Sequence, residues 1–222
     1  MLVVAVVVDR RPARSLLSVT GRLRLRWLGW CALVAVPLLV AAVAVGALLD
    51  DGGDPIPPRW VGAGALATAL LVLVPLVVLQ SAAEELLARG WILQAVGSLT
   101  RSPWPGIAVG GAVRTAMHGP STGWGAADLL LWSAAVGWLT VRTGGLEAAI
   151  ALHVVNNLVA FTIAAALGQL ADDTTAGDAG WPTLLVDGLT VPVYALAVVV
   201  LHRRFHLATR SPSADPAGSV PA

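Results

Sequence analysis

The sequence predicts an all-α fold, a polytopic transmembrane bundle of about six membrane-spanning helices around an intramembrane polar cavity. Three observations predict it. Of 222 residues, 57% are hydrophobic and only 12% are charged, where a typical soluble domain carries about 25%, and mean hydropathy is +0.79. Uncharged runs near the length of about 20 residues that a helix needs to cross a bilayer recur along the chain. Finally, the fourteen basic residues, all arginine, gather at alternate connections between those runs, as the positive-inside bias requires.

The elements follow in chain order. Met1–Val8 is apolar but too short to cross, and it precedes the basic residues, the reverse of a signal peptide. Arg10, Arg11, Arg14, Arg22, Arg24 and Arg26 make residues 1–22 a flexible cytoplasmic segment. Residues 23–206 form a single transmembrane domain. Its spans are Trp27–Leu49, Trp60–Ala83 with the apolar continuation Trp91–Gly97, Pro103–Pro120, Ala126–Val141, Leu146–Leu170 and Leu184–Leu201. The tail, 207–222, is rich in Ser, Pro, Ala and Gly and reads as disordered. Six crossings return Arg101, Arg142, Arg203, Arg204 and Arg210 to the side of the N-terminus. The acidic connections Asp50–Asp54 and Asp172–Asp178 then lie outside, with Arg59 the one dissenter. The expectation is a multi-pass protein of the cell membrane, both termini cytoplasmic. An arginine-only, Ala- and Gly-rich composition points to a GC-rich, bacterial genome. A net charge of +1 gives no electrostatic footprint for nucleic acid. Cys31, alone, has no intramolecular disulfide partner and reads as a small buried hydrophobe. Most of the nine tryptophans read as membrane-interface anchors.

Two of the three glutamates, Glu84 and Glu85, stand side by side inside an apolar stretch, with Arg89 one turn later. A carboxylate at the bilayer centre costs roughly 2.5 kcal/mol or more, so such groups are rare and usually functional. A helix begun at Trp60 would put Glu84 about 36 Å along its axis, past a hydrocarbon core about 30 Å thick. The span is therefore expected at about 72–96, with 61–69 at the interface and a possible kink at Pro75.

Further polar groups fall in later spans. Arg114 and His118 are four apart and share a helix face, as do His153 and Asn157. A carboxylate beside a histidine can take a proton from water and deliver it to a leaving amine; a second histidine and an amide can stabilise an oxyanion. Glu85 and Arg89 can neutralise each other and leave Glu84 the freer carboxylate. Simpler readings exist for each group alone. Glu85–Arg89 can be structural, and a lone histidine can join two helices. Asn156 is expected to face a neighbouring helix, Glu147 to anchor a helix start where the macrodipole favours an anion, and Asp128 and Asp187 to mark span ends, with Asp187 able to reach inward. A proton or ion path through a small transporter also uses buried charges.

The ordered set Glu84-Glu85-Leu-Leu-Ala-Arg89-Gly90, then His118, then His153-Val-Val-Asn-Asn157 resembles the CPBP family of intramembrane endopeptidases, also called the CAAX protease and bacteriocin-processing family. The resemblance covers about 70–165 and includes the turn around Gly144-Gly145. It implies a glutamic, metal-free peptidase: Glu84 with His118 would activate water, His153 and Asn157 would form the oxyanion hole, and Glu85 and Arg89 would support the site. The implied partners are a peptide or protein substrate at the membrane and the bilayer itself. No cofactor is implied, although Glu and His together also suit zinc, and a catalytically silent binding or immunity protein is the other alternative. One position departs from the pattern. Where the second motif carries an aromatic residue four before the histidine, this chain has Arg114, whose planar fork suits a substrate carboxylate.

Overall fold

The computed structural model describes residues 13–49, 59–171 and 175–211; the expectations for 1–12, for the acidic stretch 50–54, for 172–174 and for the tail beyond 211 lie outside them. Each long apolar run becomes a helix because it must satisfy its backbone polar groups internally. The described residues form α1 (Leu25–Leu49), α2 (Ala63–Glu85), α3 (Leu93–Thr100), α4 (Pro103–His118), α5 (Gly123–Thr143), α6 (Glu147–Ala166) and α7 (Trp181–Arg204). A π-helical segment, Leu86–Ile92, joins α2 to α3 without a break. Five of these helices are long and apolar enough to cross a membrane, counting Ala63–Thr100 as one. The sixth expected span, α4, has 16 residues, or about 24 Å of helix, short of a full crossing.

α6 is the central helix, packed on α1, α2 and α5. Residues 147–153 of α6 are buried all round, and the alanines among them let neighbouring backbones approach closely. Cys31 of α1, Leu139 of α5, Leu152 of α6 and Tyr194 of α7 meet in one apolar core. There the Tyr194 hydroxyl donates to the Ala148 carbonyl at 2.8 Å. Cys31 is buried, as read. Trp27 and Trp132, by contrast, are core residues and not interface anchors; Trp104, Trp124 and Trp181 are exposed near helix starts.

One end of the bundle is tied by a single ion pair. Arg24 grips Glu147 through Nε and Nη2 at 2.9 and 2.8 Å, and its backbone N–H adds a third bond at 2.9 Å. The same guanidinium donates to the carbonyls of Thr143 and Ala208. The start of α1, the end of α5, the start of α6 and the chain after α7 therefore share this end. Glu147 is thus a buried anchor, deeper than the interface position expected of it. The segment expected to be flexible up to residue 22 also differs from that reading from residue 13 onward. Leu16 is buried, Val19 N–H donates to the Gly144 carbonyl and Leu146 N–H to that of Leu17, and Gln94 reaches the Ser15 carbonyl at 3.2 Å. Backbone groups at this depth cannot stay unpaired, and the turn at Gly144 supplies their partners. Gly144 has φ +65° and no room for a Cβ, which would sit 3.0 Å from Thr209 backbone atoms.

Candidate active site

α2 is amphipathic in an inverted sense. Leu71, Leu76 and Leu79 are exposed, on a face suited to lipid, while Val77, Ser81 and Glu85 form its buried stripe. That i, i+4 stripe continues to Arg89 in the π-helical segment. A π-turn widens the helix and often marks a functional site; nothing in the residue pattern announced this one.

α4 comes close to that segment through glycine. A Cβ at Gly106 would lie 2.6 Å from the Leu93 carbonyl oxygen, and one at Gly110 would lie 3.1 Å from that of Ala88. Small residues four apart allow two backbones to touch. Arg114 and His118 continue the same stripe by further steps of four, so the glycine contact brings them to α2.

The result is a cluster of charges on three helices. Glu85, fully buried, accepts from Arg89 Nη1 at 3.0 Å and from His153 Nδ1 at 2.8 Å. The expected Glu85–Arg89 pairing is present. Glu84, whose side chain keeps 21% exposure, accepts from Gln80 Nε2 at 3.1 Å and from Arg114 Nη1 at 3.1 Å. A carboxylate has about four acceptor sites, so these bonds leave Glu84 able to take a proton or hold water. His153 Nε2 lies 3.8 Å from Glu84 Oε2, too far for a hydrogen bond, so His153 sits between the two glutamates and is bound to one. A carboxylate only accepts, so His153 Nδ1 carries a proton and Nε2 is the end that faces Glu84.

His118 and Asn157 stand at the rim. His118 Nδ1 lies 2.9 Å from the Arg114 carbonyl; a carbonyl also only accepts, so Nδ1 carries the proton and Nε2 of a neutral ring is an acceptor. His118 and Glu84 line one small cavity with Arg89, Arg114 and Met117, with free volume of about 10 Å³, room for about one water. His153 and Asn157 are not part of its lining. Asn157 instead donates to Ser81 Oγ at 3.2 Å, one turn before Glu85. The six residues expected to act or support are thus gathered around α2, but as two layers and not one ring.

Arg114 is committed to Glu84, where it was expected to be open to substrate. Its side chain is nine-tenths buried, and its ion pair is with Glu84 at 3.1 Å. Among the described residues no group of three or more His, Cys, Asp or Glu side chains is placed to hold a metal ion.

The sequence reading missed several participants. Gln80 and Ser81 lie one turn before Glu84 and Glu85, a spacing that would have found them. Asp128 was read as a span end but is 5% exposed, and Asn156, read as facing a neighbouring helix, lines a larger cavity with Asp128 and Asp187.

This charged cluster lies within the stretch, residues 65–159, that matches the family model described as Rce1-like, type II CAAX prenyl endopeptidase. Over those residues the chain is similar to that family. The match agrees with the resemblance read from the motifs and runs from α2 to Val159 of α6. An uncharacterized protein, YyaK, of Bacillus subtilis (strain 168) is 32% identical over 99 residues, which is 42% of this chain and 32% of that protein. The chain spans about a third of the length of that relative. No solved structure matches. The Rce1-like segment leaves out α1 and α7, which supply core and cavity walls.

Proposed function

We propose that the protein is an intramembrane endopeptidase that hydrolyses peptide bonds with water activated by Glu84 and His118. The observation that carries the reading is the one-water cavity shared by Glu84 and His118, with His153 facing Glu84 from the other side. Water in that cavity gives a proton to the carboxylate or to His118 Nε2 while its oxygen attacks the scissile carbonyl carbon. The tetrahedral oxyanion would take hydrogen bonds from a protonated His153 Nε2 and from Asn157 once its amide turns from Ser81. The collected proton then passes to the leaving amine as the C–N bond breaks. Glu85 and Arg89 hold His153 in place. No cofactor enters this scheme. The bundle would sit in the cell membrane with the Arg24–Glu147 end in the cytoplasm, because Arg14, Arg22, Arg24, Arg26, Arg142, Arg203 and Arg204 gather there.

The test is cleavage of a fluorogenic peptide library by the full chain in nanodiscs. Glu84→Gln lowers turnover per folded molecule by about 10²–10⁴-fold, the range of a lost general base, with a lowered melting temperature because Arg114 loses its anion. Unchanged turnover in that variant rejects the mechanism. Loss of activity on chelation, regained with zinc, replaces it with a metal-dependent one.

A second reading rests on the Arg114–Glu84 pair. A cation on the base can hold the site silent, leaving a binding or immunity protein. In that case the native chain is inert and Arg114→Phe gains turnover.

A further inference from the structure

A second cavity, of about 540 Å³, lies between α1, α5, α6 and α7 near the end opposite the Arg24–Glu147 pair. Its size falls within the range of ligand pockets, about 300–1,000 Å³. Much of the wall is apolar, from Leu39, Val159 and Val186, but Asp128, Asn156 and Asp187 line it too. Asp128 is 95% buried by residue area, and its Oδ1 has no hydrogen-bond partner. An ionised oxygen left so is costly unless something occupies the cavity and pairs with it.

The charge count points to what that is. Glu84 is matched by Arg114 and Glu85 by Arg89. Among the described residues no ion pair reaches Asp128 or Asp187; the cation nearest at hand, Arg114, borders this cavity but already pairs with Glu84. The residual charge is negative, and two carboxylates against an apolar wall do not make a metal site. An organic cation on an aliphatic stem satisfies both. Trp132, whose indole Nε1 has no hydrogen-bond partner, lines the same wall.

The cavity shares Arg114 with the small cavity of the candidate active site. Arg114 borders it while donating to Glu84, and Trp132 borders it while its ring meets that of His153 edge-on at 6.5 Å.

We infer that this cavity is a specificity subsite for an arginine or lysine side chain of the peptide substrate, held by Asp128 and Asp187. As a subsite for cleavage it rests on the peptidase reading above; as a binding site it does not.

The experiment measures anisotropy of two labelled peptides with the full chain in phosphatidylcholine nanodiscs, one with arginine in an apolar flank and one with its uncharged isostere citrulline. Cleavage of both is followed in parallel. The arginine peptide binds about tenfold or more tighter, the size of a charge-assisted hydrogen bond. Asp128→Asn with Asp187→Asn brings the ratio below about twofold. Where that double variant does not fold, Asp187→Asn alone, at the less buried position, reduces the ratio by at least half. Equal binding of the two peptides by the native chain overturns the subsite, as does a ratio that survives the substitutions. Selective binding without cleavage of either peptide leaves the subsite standing and removes the peptidase reading; cleavage of both with equal binding does the reverse.

Discussion

Two buried Glu–Arg systems in this bundle use the same chemistry to different ends. At Arg24–Glu147, no side-chain N or O of either partner is among the buried atoms without a hydrogen bond, and the guanidinium spends its remaining donors on two backbone carbonyls. At Glu84–Glu85, buried atoms are left over: Glu85 Oε2, Arg89 Nη2 and Arg114 Nε all lack partners. A closed, fully bonded pair fixes a fold. A pair with spare bonding capacity beside a cavity can receive a ligand, and its unpaired atoms are tolerated only if something repays their desolvation. The difference lies in what surrounds the charges: backbone carbonyls at a tight glycine turn in one case, other helices' side chains in the other.

The sharpest separation of the two systems is between Glu84→Gln and Glu147→Gln. The first removes turnover in folded protein, with a stability cost through Arg114 that the 21% exposure of Glu84 moderates. The second leaves Arg24 buried without its anion and lowers stability by about 3–5 kcal/mol, the usual cost of orphaning one partner, while activity per folded molecule stays near that of the native chain. Chemical denaturation in detergent beside a cleavage assay reads both. If Glu147→Gln also abolishes turnover in folded protein, the division between the systems is wrong.

Glu85→Gln tests the middle ground. It is expected to cost about 3 kcal/mol through Arg89 and also to reduce turnover, because His153 loses the carboxylate that orients it. A variant that is merely less stable, with native turnover, would place Glu85 with the structural pair. Ser81→Ala is smaller still. It removes the acceptor of Asn157 at a cost of about 1 kcal/mol, and it frees the amide. Nanodisc turnover at matched folded fraction should change by less than tenfold.

The smallest effect lies outside the membrane helices. Asp178 accepts from the Ser121 hydroxyl and from the backbone and hydroxyl of Thr175. The Ser121 bond first, then the Thr175 backbone bond, hold its carboxyl below the ordinary range. A depressed pKa adds stability that is complete above the unfolded value of about 3.9 and is lost as pH falls through the lower folded value. Asp178→Asn should therefore lower stability slightly at neutral pH, where the native carboxylate contributes fully, and flatten its fall below about pH 4, where the variant and the native chain converge. A steeper limb in that variant would contradict the assignment.

Much of the fold was legible because hydrophobic run length and arginine placement act locally. α1, α5 and α7 fall close to their expected spans for that reason. The π-helical segment was not legible: apart from Gly90, Leu86–Ile92 is made of residues a regular helix accepts, and the close contacts there, Gly110 on Ala88 and Gly90 on the Leu16 carbonyl, are tertiary. Asp128 lies near the start of α5, as its place in the sequence suggests, but its burial was not legible, because only neighbouring helices close over it.

By itself, the sequence determined a helical membrane protein and named Glu84, Glu85, Arg89, His118, His153 and Asn157, since motif spacing on a helix decides which side chains share a face. Partnership was decided only by tertiary structure. Arg114 to Glu84, His153 to Glu85, Asn157 to Ser81 and Arg24 to Glu147 are each contacts between elements 30 or more residues apart in sequence. No local rule chooses among buried ions of opposite sign; the close approach of glycine and alanine faces does, because it sets which charges come within a few ångströms in a medium that cannot screen them.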